Sequence, residues 1–295
     1  MHSNHRSMPW RDIALTALAP AIWGSTYIVT TELLPPGRPF TAALLRTLPA
    51  GLLLVLWCRQ MPARGGWGRL LLLSALNIGV FQALLFVAAY RLPGGVAAVV
   101  GAVGPLVVMG LAWGVEGLRP PALALGAGVL AVAGMAAMLL SPAAGWDGWG
   151  IAAALAGTGC MAAGTFWSRR WQPGLPVLAF TGWQLLLGGL MLAPVAWWAD
   201  PPLHAVTAVQ AAGYAYLSLA GALVAYALWF RGIARLPSVA VASLGLLSPL
   251  TAVVLGWALL GQALGGLSLA GMWTVLGCVL AVQWAMAARR PVAGR

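Results

Sequence analysis

Ten long apolar stretches constrain the fold of this chain more than any other feature. A helix needs roughly 20 predominantly apolar residues to cross the hydrocarbon core of a bilayer. The sequence supplies ten such runs, separated by short breaks rich in Pro, Gly or Arg. The pattern therefore predicts an all-α integral membrane protein. The predicted spans are 13–33, 40–58, 69–90, 94–114, 121–141, 149–168, 176–198, 208–232, 237–260 and 266–287.

The charge content supports a lipid environment. Of the 295 residues, 61% are hydrophobic and only 7% are charged, which is too little charge to cover the surface of a soluble protein. The net charge of +11 comes from arginines scattered at span ends rather than clustered in a basic run. That distribution favours a membrane topology signal over nucleic-acid binding. We expect membrane lipid and a small-molecule substrate as partners, no nucleic acid, and a monomer.

The arginines are divided unequally between the two sets of span ends. Thirteen of the sixteen fall at one set, Arg38 and Arg91 fall at the other, and Arg46 lies within the second span. Basic residues concentrate on the cytoplasmic side of membrane proteins. The sequence therefore predicts a multi-pass protein of a bacterial inner membrane, with both termini in the cytoplasm.

A segment of the chain is repeated. Residues 91–117 read RLPGGVAAVVGAVGPLVVMGLAWGVEG, and residues 235–261 read RLPSVAVASLGLLSPLTAVVLGWALLG. A single offset of 144 aligns them without a gap and matches Pro105 with Pro249. Rare residue types in register indicate an internal duplication, which many transporter folds share.

The duplication predicts how the two halves are arranged. Residues 1–145 would form one five-helix repeat and residues 146–295 a second, together making one membrane domain. Because five is odd, the second repeat starts from the opposite face of the membrane. We therefore expect inverted repeats related by a two-fold axis in the membrane plane. Such repeats place a substrate site near the midplane and permit alternating access.

Four sequence elements resemble the EamA family of the drug/metabolite transporter superfamily. They are AIWGSTYIVT in the first span, AALLRTLPAGLLL in the second, the Arg-Leu-Pro opening of the fourth and ninth spans, and the prolines inside those spans. The resemblance covers nearly the whole chain and is strongest to bacterial exporters of aromatic and other amino acids. A Gly-Glu pair that is common in the family after the fourth and ninth spans is replaced by Val115-Glu116 and Gly261-Gln262.

The resemblance implies a ten-helix basket around a central cavity. The first, third, fourth, sixth, eighth and ninth helices would line the cavity, and the fifth and tenth would be peripheral. It also implies export of amino acids or, alternatively, of another small metabolite or drug. No cofactor and no metal is expected. Two other classes, a membrane-embedded enzyme and a passive structural subunit, have less support in the residues.

Gln82 and Tyr226 form the most informative candidate pair, because the offset of 144 maps one onto the other. Polar side chains in a span usually face the bundle interior or a wet cavity. The pair is predicted to line one cavity, the alternative being a hydrogen bond between helices. Trp229 lies three residues after Tyr226, on the same helix face.

Further candidates for substrate binding are an amide pair and several aromatic residues. Asn77 and Gln184 could bind an amino or carboxylate group, or a neighbouring carbonyl. The aromatic side chains could stack on an apolar solute or serve packing and interfacial roles. The aromatic candidates are Trp23, Tyr27 and Trp183.

Two prolines and one charged residue complete the set of candidate functional residues. Pro105 and Pro249 each remove a helix hydrogen bond mid-membrane, so a kink, a gate or a backbone site including Ser248 is expected. Arg46 lies in the second span, and Glu32 ends the first. The two residues predict a structural ion pair, or an Arg46 side chain that extends outward to the membrane surface, with binding of a substrate carboxylate as the alternative. Since none of the five carboxylates is predicted mid-membrane, facilitated export is expected, with proton coupling through Glu32 as the alternative.

Overall fold

A computed structural model describes residues 9–92, 94–139, 147–171, 174–203 and 205–288. Within these residues the chain is helical, without a strand. Ten helices are long and apolar enough to cross a membrane, and each overlaps one predicted span, which confirms the predicted fold class. We label them α1 to α10 in chain order: Trp10–Leu33, Pro39–Cys58, Arg64–Ala88, Val96–Glu116, Ala122–Leu139, Gly148–Trp171, Val177–Ala199, Ala208–Arg235, Ser238–Leu260 and Gly266–Ala288.

Helices α3 and α8 each contain a π-helical turn at the same place. The turn covers Ala75–Gly79 in α3 and Leu219–Val224 in α8, so the two turns start 144 residues apart. A π turn is a local widening of the helix that often occurs at functional sites. The offset found in the sequence therefore reappears as a shared backbone irregularity.

Helices α4 and α9 are each interrupted near their middle. The first segment of α4 ends at Gly101 and the second begins at Gly104, whereas α9 stops at Leu244 and resumes at Leu247. Pro105 and Pro249 explain the breaks, because a proline lacks the N–H that would bond the carbonyl four residues earlier. Both helices are thus interrupted near the prolines, where the sequence predicted a disturbance of the helix.

Equivalent helices of the two halves pack against each other in opposite directions. In the α2–α7 pair, Gly51 lies against Leu185, and Gly182 lies against Leu54, so the contact runs backward along α7 as it runs forward along α2. Helices α5 and α10 pair in the same antiparallel way. The inverted-repeat relation stays a prediction, which these contacts support. The predicted seam near residue 145 lies outside the described residues.

Side chains tie the helix ends together in two separate groups. At one end Arg231 pairs with Asp12 at 2.6 Å, and Arg170 pairs with Glu116 at 3.2 Å. We call it the arginine-rich end, because most of the arginines lie there. At the other, arginine-poor end Arg91 pairs with Asp147 at 3.1 Å. The helix ends are therefore grouped as the arginine pattern predicted, while the side that faces the cytoplasm stays a prediction.

The bundle is more tightly packed at the arginine-rich end. There the first segment of α9, Ser238–Leu244, contacts α1, α4, α6, α8 and α10, and six of its seven residues are buried. Its counterpart in α4, Gly94–Gly101, has its main described contacts with α3, α5 and α6, and residues 97–100 are only partly buried. Equivalent segments thus close one end of the bundle and leave the other end more open.

Candidate solute-binding site

A group of polar and aromatic side chains meets where α1, α2, α3 and α8 converge. Gln82 of α3 donates from Nε2 to the Tyr226 hydroxyl of α8 at 3.2 Å. Both residues are almost completely buried. The interhelical hydrogen bond, which the sequence left as an alternative, is therefore formed in this structure. We call these two residues, together with Trp23, Arg46 and Trp229, the central cluster.

Three aromatic rings form one side of the central cluster. The ring of Trp23 lies 5.0 Å from that of Tyr226 and 5.1 Å from that of Trp229, measured between centroids. Tyr226 and Trp229 lie on one face of α8, and α1 brings Trp23 across to them. Tilted rings at these separations attract one another and provide apolar surface. The arrangement suits an aromatic or apolar solute.

The π turn of α8 anchors the polar side of the central cluster. The carbonyl oxygen of Gly221 accepts hydrogen bonds from Trp23 Nε1 and from Arg46 Nη2, both at 3.0 Å. The guanidinium carbon of Arg46 also lies 6.0 Å from the centre of the Tyr226 ring. A guanidinium at this distance is attracted to the face of an aromatic ring. One carbonyl thus fixes both a tryptophan and a buried cation.

The predicted ion pair between Arg46 and Glu32 is wrong. Arg46 is 8% exposed and turns inward to Gly221 of α8. Glu32 is exposed at the end of α1, where it accepts a hydrogen bond from the Thr31 hydroxyl at 3.3 Å. Within the described residues, Arg46 has no carboxylate within 4.0 Å. A carbonyl and a ring, rather than an opposite charge, compensate the buried guanidinium.

Three polar atoms of the central cluster are buried without a hydrogen-bond partner in the described structure. They are Arg46 Nε, Trp229 Nε1 and Gln82 Oε1. Most buried polar side-chain atoms in folded proteins have a partner, so each exception calls for an explanation. Two donors and one acceptor in a single cluster are what a site for a polar solute group requires.

Tyr27 lies one helical turn beyond Trp23, toward the arginine-poor end. It shares the helix face of Trp23. Nevertheless, 54% of its surface is exposed. This exposed surface lies on the half of α1 nearer the arginine-poor end.

The candidates Asn77 and Gln184 belong to a second group, the amide cluster. Asn77, in the π turn of α3, donates from Nδ2 to Gln184 Oε1 of α7 at 2.7 Å and to Ser168 Oγ of α6 at 3.0 Å. All three side chains are buried. Gly164 leaves the space for Asn77, since a Cβ atom there would lie 2.2 Å from Asn77 Oδ1. The amide cluster joins three helices on the arginine-rich side of the bundle.

Two further candidates lie apart from the side chains of the central cluster. Trp183 donates from Nε1 to the carbonyl of Gln60 at 2.8 Å and packs its ring 5.1 Å from that of Trp67, at the arginine-rich end. Ser248 brings its backbone against α1, because a Cβ atom on Gly24 would lie 2.5 Å from its carbonyl oxygen. The contacts of Trp183 are those of packing, and those of Ser248 mark the crossing of α1 and α9.

Sequence reasoning missed two participants, Gly221 and Ser168. A glycine carbonyl carries no side-chain signal, and Ser168 lies beside the charged end of α6. One signal was present, because the offset of 144 maps Gly221 onto Asn77. The two hydrogen-bonding centres therefore occupy equivalent positions in the repeat.

Comparison with known proteins agrees with this geometry. The sequence profile of the EamA-like transporter family matches residues 10–140 and 148–283, which is most of the chain. The chain belongs to the EamA-like transporter family. Among relatives, Protein PecM of Dickeya dadantii is 42% identical over 269 residues, covering 90% of each chain. The uncharacterized transporter YwfM of Bacillus subtilis is 27% identical, with 86% of this chain and 88% of the relative covered.

A solved structure supports the fold of this EamA family transporter. A crystal structure superposes with a TM-score of 0.79 at 16% sequence identity, covering 96% of this chain and 99% of the other. At that identity the likeness concerns the fold alone. The family assignment and the ten helices together make the chain a multi-pass membrane transporter of a small molecule.

Proposed function

We propose that this EamA family transporter exports amino acids, aromatic and other neutral ones, across a bacterial inner membrane by alternating access. The observation that carries the proposal is the central cluster. It combines a buried cation with three packed rings at a point where four helices meet. A guanidinium suits a carboxylate, and the rings suit an apolar side chain.

The uneven packing of the two ends supports alternating access. The arginine-rich end is closed around the first segment of α9, and the end beyond Tyr27 is more open. If the halves are inverted repeats, exchanging their conformations would open the arginine-rich end instead. With the arginine-rich end and both termini in the cytoplasm, the less tightly packed end would face the outside, while the central cluster itself is buried.

The positions of the carboxylates support facilitated transport. Asp12 lies in the first turn of α1, Glu32 in its last turn, and Glu116 ends α4. Asp147 and Asp200 lie just outside α6 and α7. A proton-coupled carrier generally needs an ionisable group that both faces can reach in turn. Net export would then follow the gradient of the solute.

Transport into proteoliposomes tests the proposal. The purified chain should exchange radiolabelled phenylalanine for unlabelled amino acids, and a competition series with the twenty amino acids should rank aromatic and neutral ones first. Protein-free vesicles measure leakage. Exchange of an unrelated metabolite or drug without competition by any amino acid would replace the proposed solute class. Accumulation driven by an imposed pH gradient would replace facilitated transport with proton coupling.

A further inference from the structure

The central cluster carries a net positive charge, and no carboxylate of the described residues pairs with it. We propose that its preferred solutes carry one net negative charge and are small carboxylates with an apolar or aromatic body, so that export moves negative charge outward. The inference rests on the proposed function, since it concerns the same cluster and shifts the preferred solute from a zwitterionic amino acid to a related carboxylate whose amino group is blocked or absent.

The charged and titratable groups around the site determine which sign of solute charge it favours. Arg46 is the charged side chain of the central cluster, and the phenols of Tyr27 and Tyr226 are the groups with which it interacts. A guanidinium keeps its proton in proteins. The carboxylates of α1, α4, α6 and α7 all lie at or beyond helix ends. An incoming carboxylate therefore meets a cation that has a carbonyl and a ring as partners but no counter-charge among the described residues.

The unpartnered atoms distinguish a carboxylate from an ammonium group. Arg46 Nε and Trp229 Nε1 are buried donors without an acceptor. A carboxylate has only acceptors to offer and forms its strongest hydrogen bonds with a guanidinium. An ammonium group would find one unpartnered acceptor, Gln82 Oε1, and no negative charge. The site therefore favours an anion over a zwitterion, and a zwitterion over a cation.

A solute would have to reach the buried guanidinium from the arginine-poor end, where the bundle is less tightly packed. Tyr27, half exposed, lies on the half of α1 nearer that end. Because Arg46 remains in place on α2, the charge that crosses the membrane in a cycle is that of the solute. An anion moves outward under the inside-negative potential of a bacterial membrane. A potential of 100 mV acting on one charge corresponds to an accumulation ratio of about 50-fold.

The site thus explains directional export without a mid-membrane carboxylate. The membrane potential, rather than a proton, would drive the solute outward. This differs from export of a zwitterion, which the potential leaves unchanged because its net charge is zero.

The test uses three probes that share a phenyl ring and differ in charge: N-acetylphenylalanine, phenylalanine and 2-phenylethylamine. Proteoliposomes carry a potassium diffusion potential set with valinomycin, and protein-free vesicles measure leakage. We expect N-acetylphenylalanine to be transported fastest and to accumulate on the positive side by up to about 50-fold at 100 mV. Phenylalanine should move more slowly and ignore the potential, and the amine should not move.

Two variants of Arg46 separate its charge from its structure. Arg46→Gln should lower N-acetylphenylalanine transport by roughly ten- to hundredfold, as expected for losing a hydrogen bond to a charged group. It should also abolish the preference for the anion over phenylalanine. Arg46→Lys should keep that preference and its sensitivity to the potential. Arg91→Gln, at the exposed arginine-poor end, is the matched control and should transport normally.

The outcomes distinguish this inference from the proposed function. Phenylalanine transport that is faster than that of the anion and indifferent to the potential would overturn the inference and leave amino-acid export standing. An Arg46→Gln variant with unchanged selectivity would also overturn it. If neither the probes nor any of the twenty amino acids moved, both proposals would fall. An Arg46→Gln variant that misfolds would leave the probe series and Arg46→Lys to decide.

Discussion

The two halves of the molecule use the same backbone feature for different purposes. The π turn of α3 presents the Asn77 side chain, and the π turn of α8 presents the Gly221 carbonyl at the equivalent position. Around Asn77 the partners are neutral, because Ser168 of α6 and Gln184 of α7 each accept a hydrogen bond from its side-chain amide. Around Gly221 the partners are Trp23 of α1 and a buried guanidinium from α2.

The difference shows how a duplicated framework becomes chemically asymmetric. The partner helices correspond under exchange of the halves, since α6 and α7 replace α1 and α2. Arg46, however, is a cation without a counter-charge, whereas Gln184 finds an amide partner. Asn77 Oδ1 and Gln184 Nε2 are also buried without a partner, so the buried cation, rather than the unpartnered atoms, distinguishes the two clusters. On that ground we expect the amide cluster to hold helices together and the central cluster to receive a solute. The predictions below test this division of roles.

The largest expected effect comes from filling the space beside the π turn of α3. In Gly164→Ala the new Cβ atom would lie 2.2 Å from Asn77 Oδ1, so the amide cluster must shift. We expect a loss of about 1–3 kcal/mol in unfolding free energy, as for other overpacked sites. Thermal unfolding in detergent measures it.

Gly221→Ala is the matched control for that change. Its Cβ atom would meet Arg46 Nε at 3.7 Å, an ordinary van der Waals contact. Its thermal midpoint should stay near that of the wild type. Equal losses of stability in both variants would contradict the idea that only the amide cluster is tightly packed.

A smaller effect is expected on transport when the interhelical bond of the central cluster is removed. Tyr226→Phe deletes the hydroxyl that accepts from Gln82 and keeps the ring against Trp23. Transport in proteoliposomes should fall by roughly two- to tenfold, as for a neutral hydrogen bond, with stability nearly unchanged. Wild-type transport would argue that the pair is only structural.

Removing the hydrogen bond of the amide cluster should affect stability rather than transport. A double-mutant cycle with Asn77→Ala and Gln184→Ala should give a coupling free energy near the average of about 0.6 kcal/mol for hydrogen bonds between membrane helices. Transport per folded molecule should stay at the wild-type rate. A coupling of zero, or a selective loss of transport, would place the cluster in the solute pathway.

The smallest effect concerns the starts of α1 and α6, which are equivalent in the repeat. Helix α6 is preceded by Asp147, which accepts from the backbone N–H groups of Gly150 and Trp149, whereas α1 has no side-chain cap. The Gly150 N–H, together with Arg91 and the Trp149 N–H, holds the pKa of the Asp147 carboxyl below its usual value.

The lowered pKa of the Asp147 carboxyl determines how its contribution to stability changes with pH. The stabilisation by ionised Asp147 is present above the carboxyl's unfolded-state pKa and is lost as pH falls through its folded-state pKa. In Asp147→Asn, the thermal midpoint should no longer show this loss of stability at acid pH. Near neutral pH the midpoint should change little. An identical slope in wild type and variant would show that Asp147 contributes nothing to it.

Several features of the site followed from the sequence alone. The register of the duplication paired Gln82 with Tyr226 and predicted that both line one cavity, with a hydrogen bond between helices as the alternative. The hydrogen bond is formed, and the shared cavity stays a prediction. The prolines marked the depth at which α4 and α9 break. Arg46 and Glu32 were matched wrongly, because proximity to the same membrane face says nothing about the direction in which each helix turns its side chain.

The sequence by itself determined the membrane class, the ten helices and the family. Bilayer thickness dictates the length of each apolar run, and the duplication can be aligned directly from the residues. Only the tertiary structure decided that Arg46 bonds Gly221 and that one end of the bundle is closed. Those outcomes depend on helix rotation and on contacts between residues more than a hundred positions apart. No local pattern encodes them, since hydrophobic surface in a membrane constrains helix length far more than helix orientation.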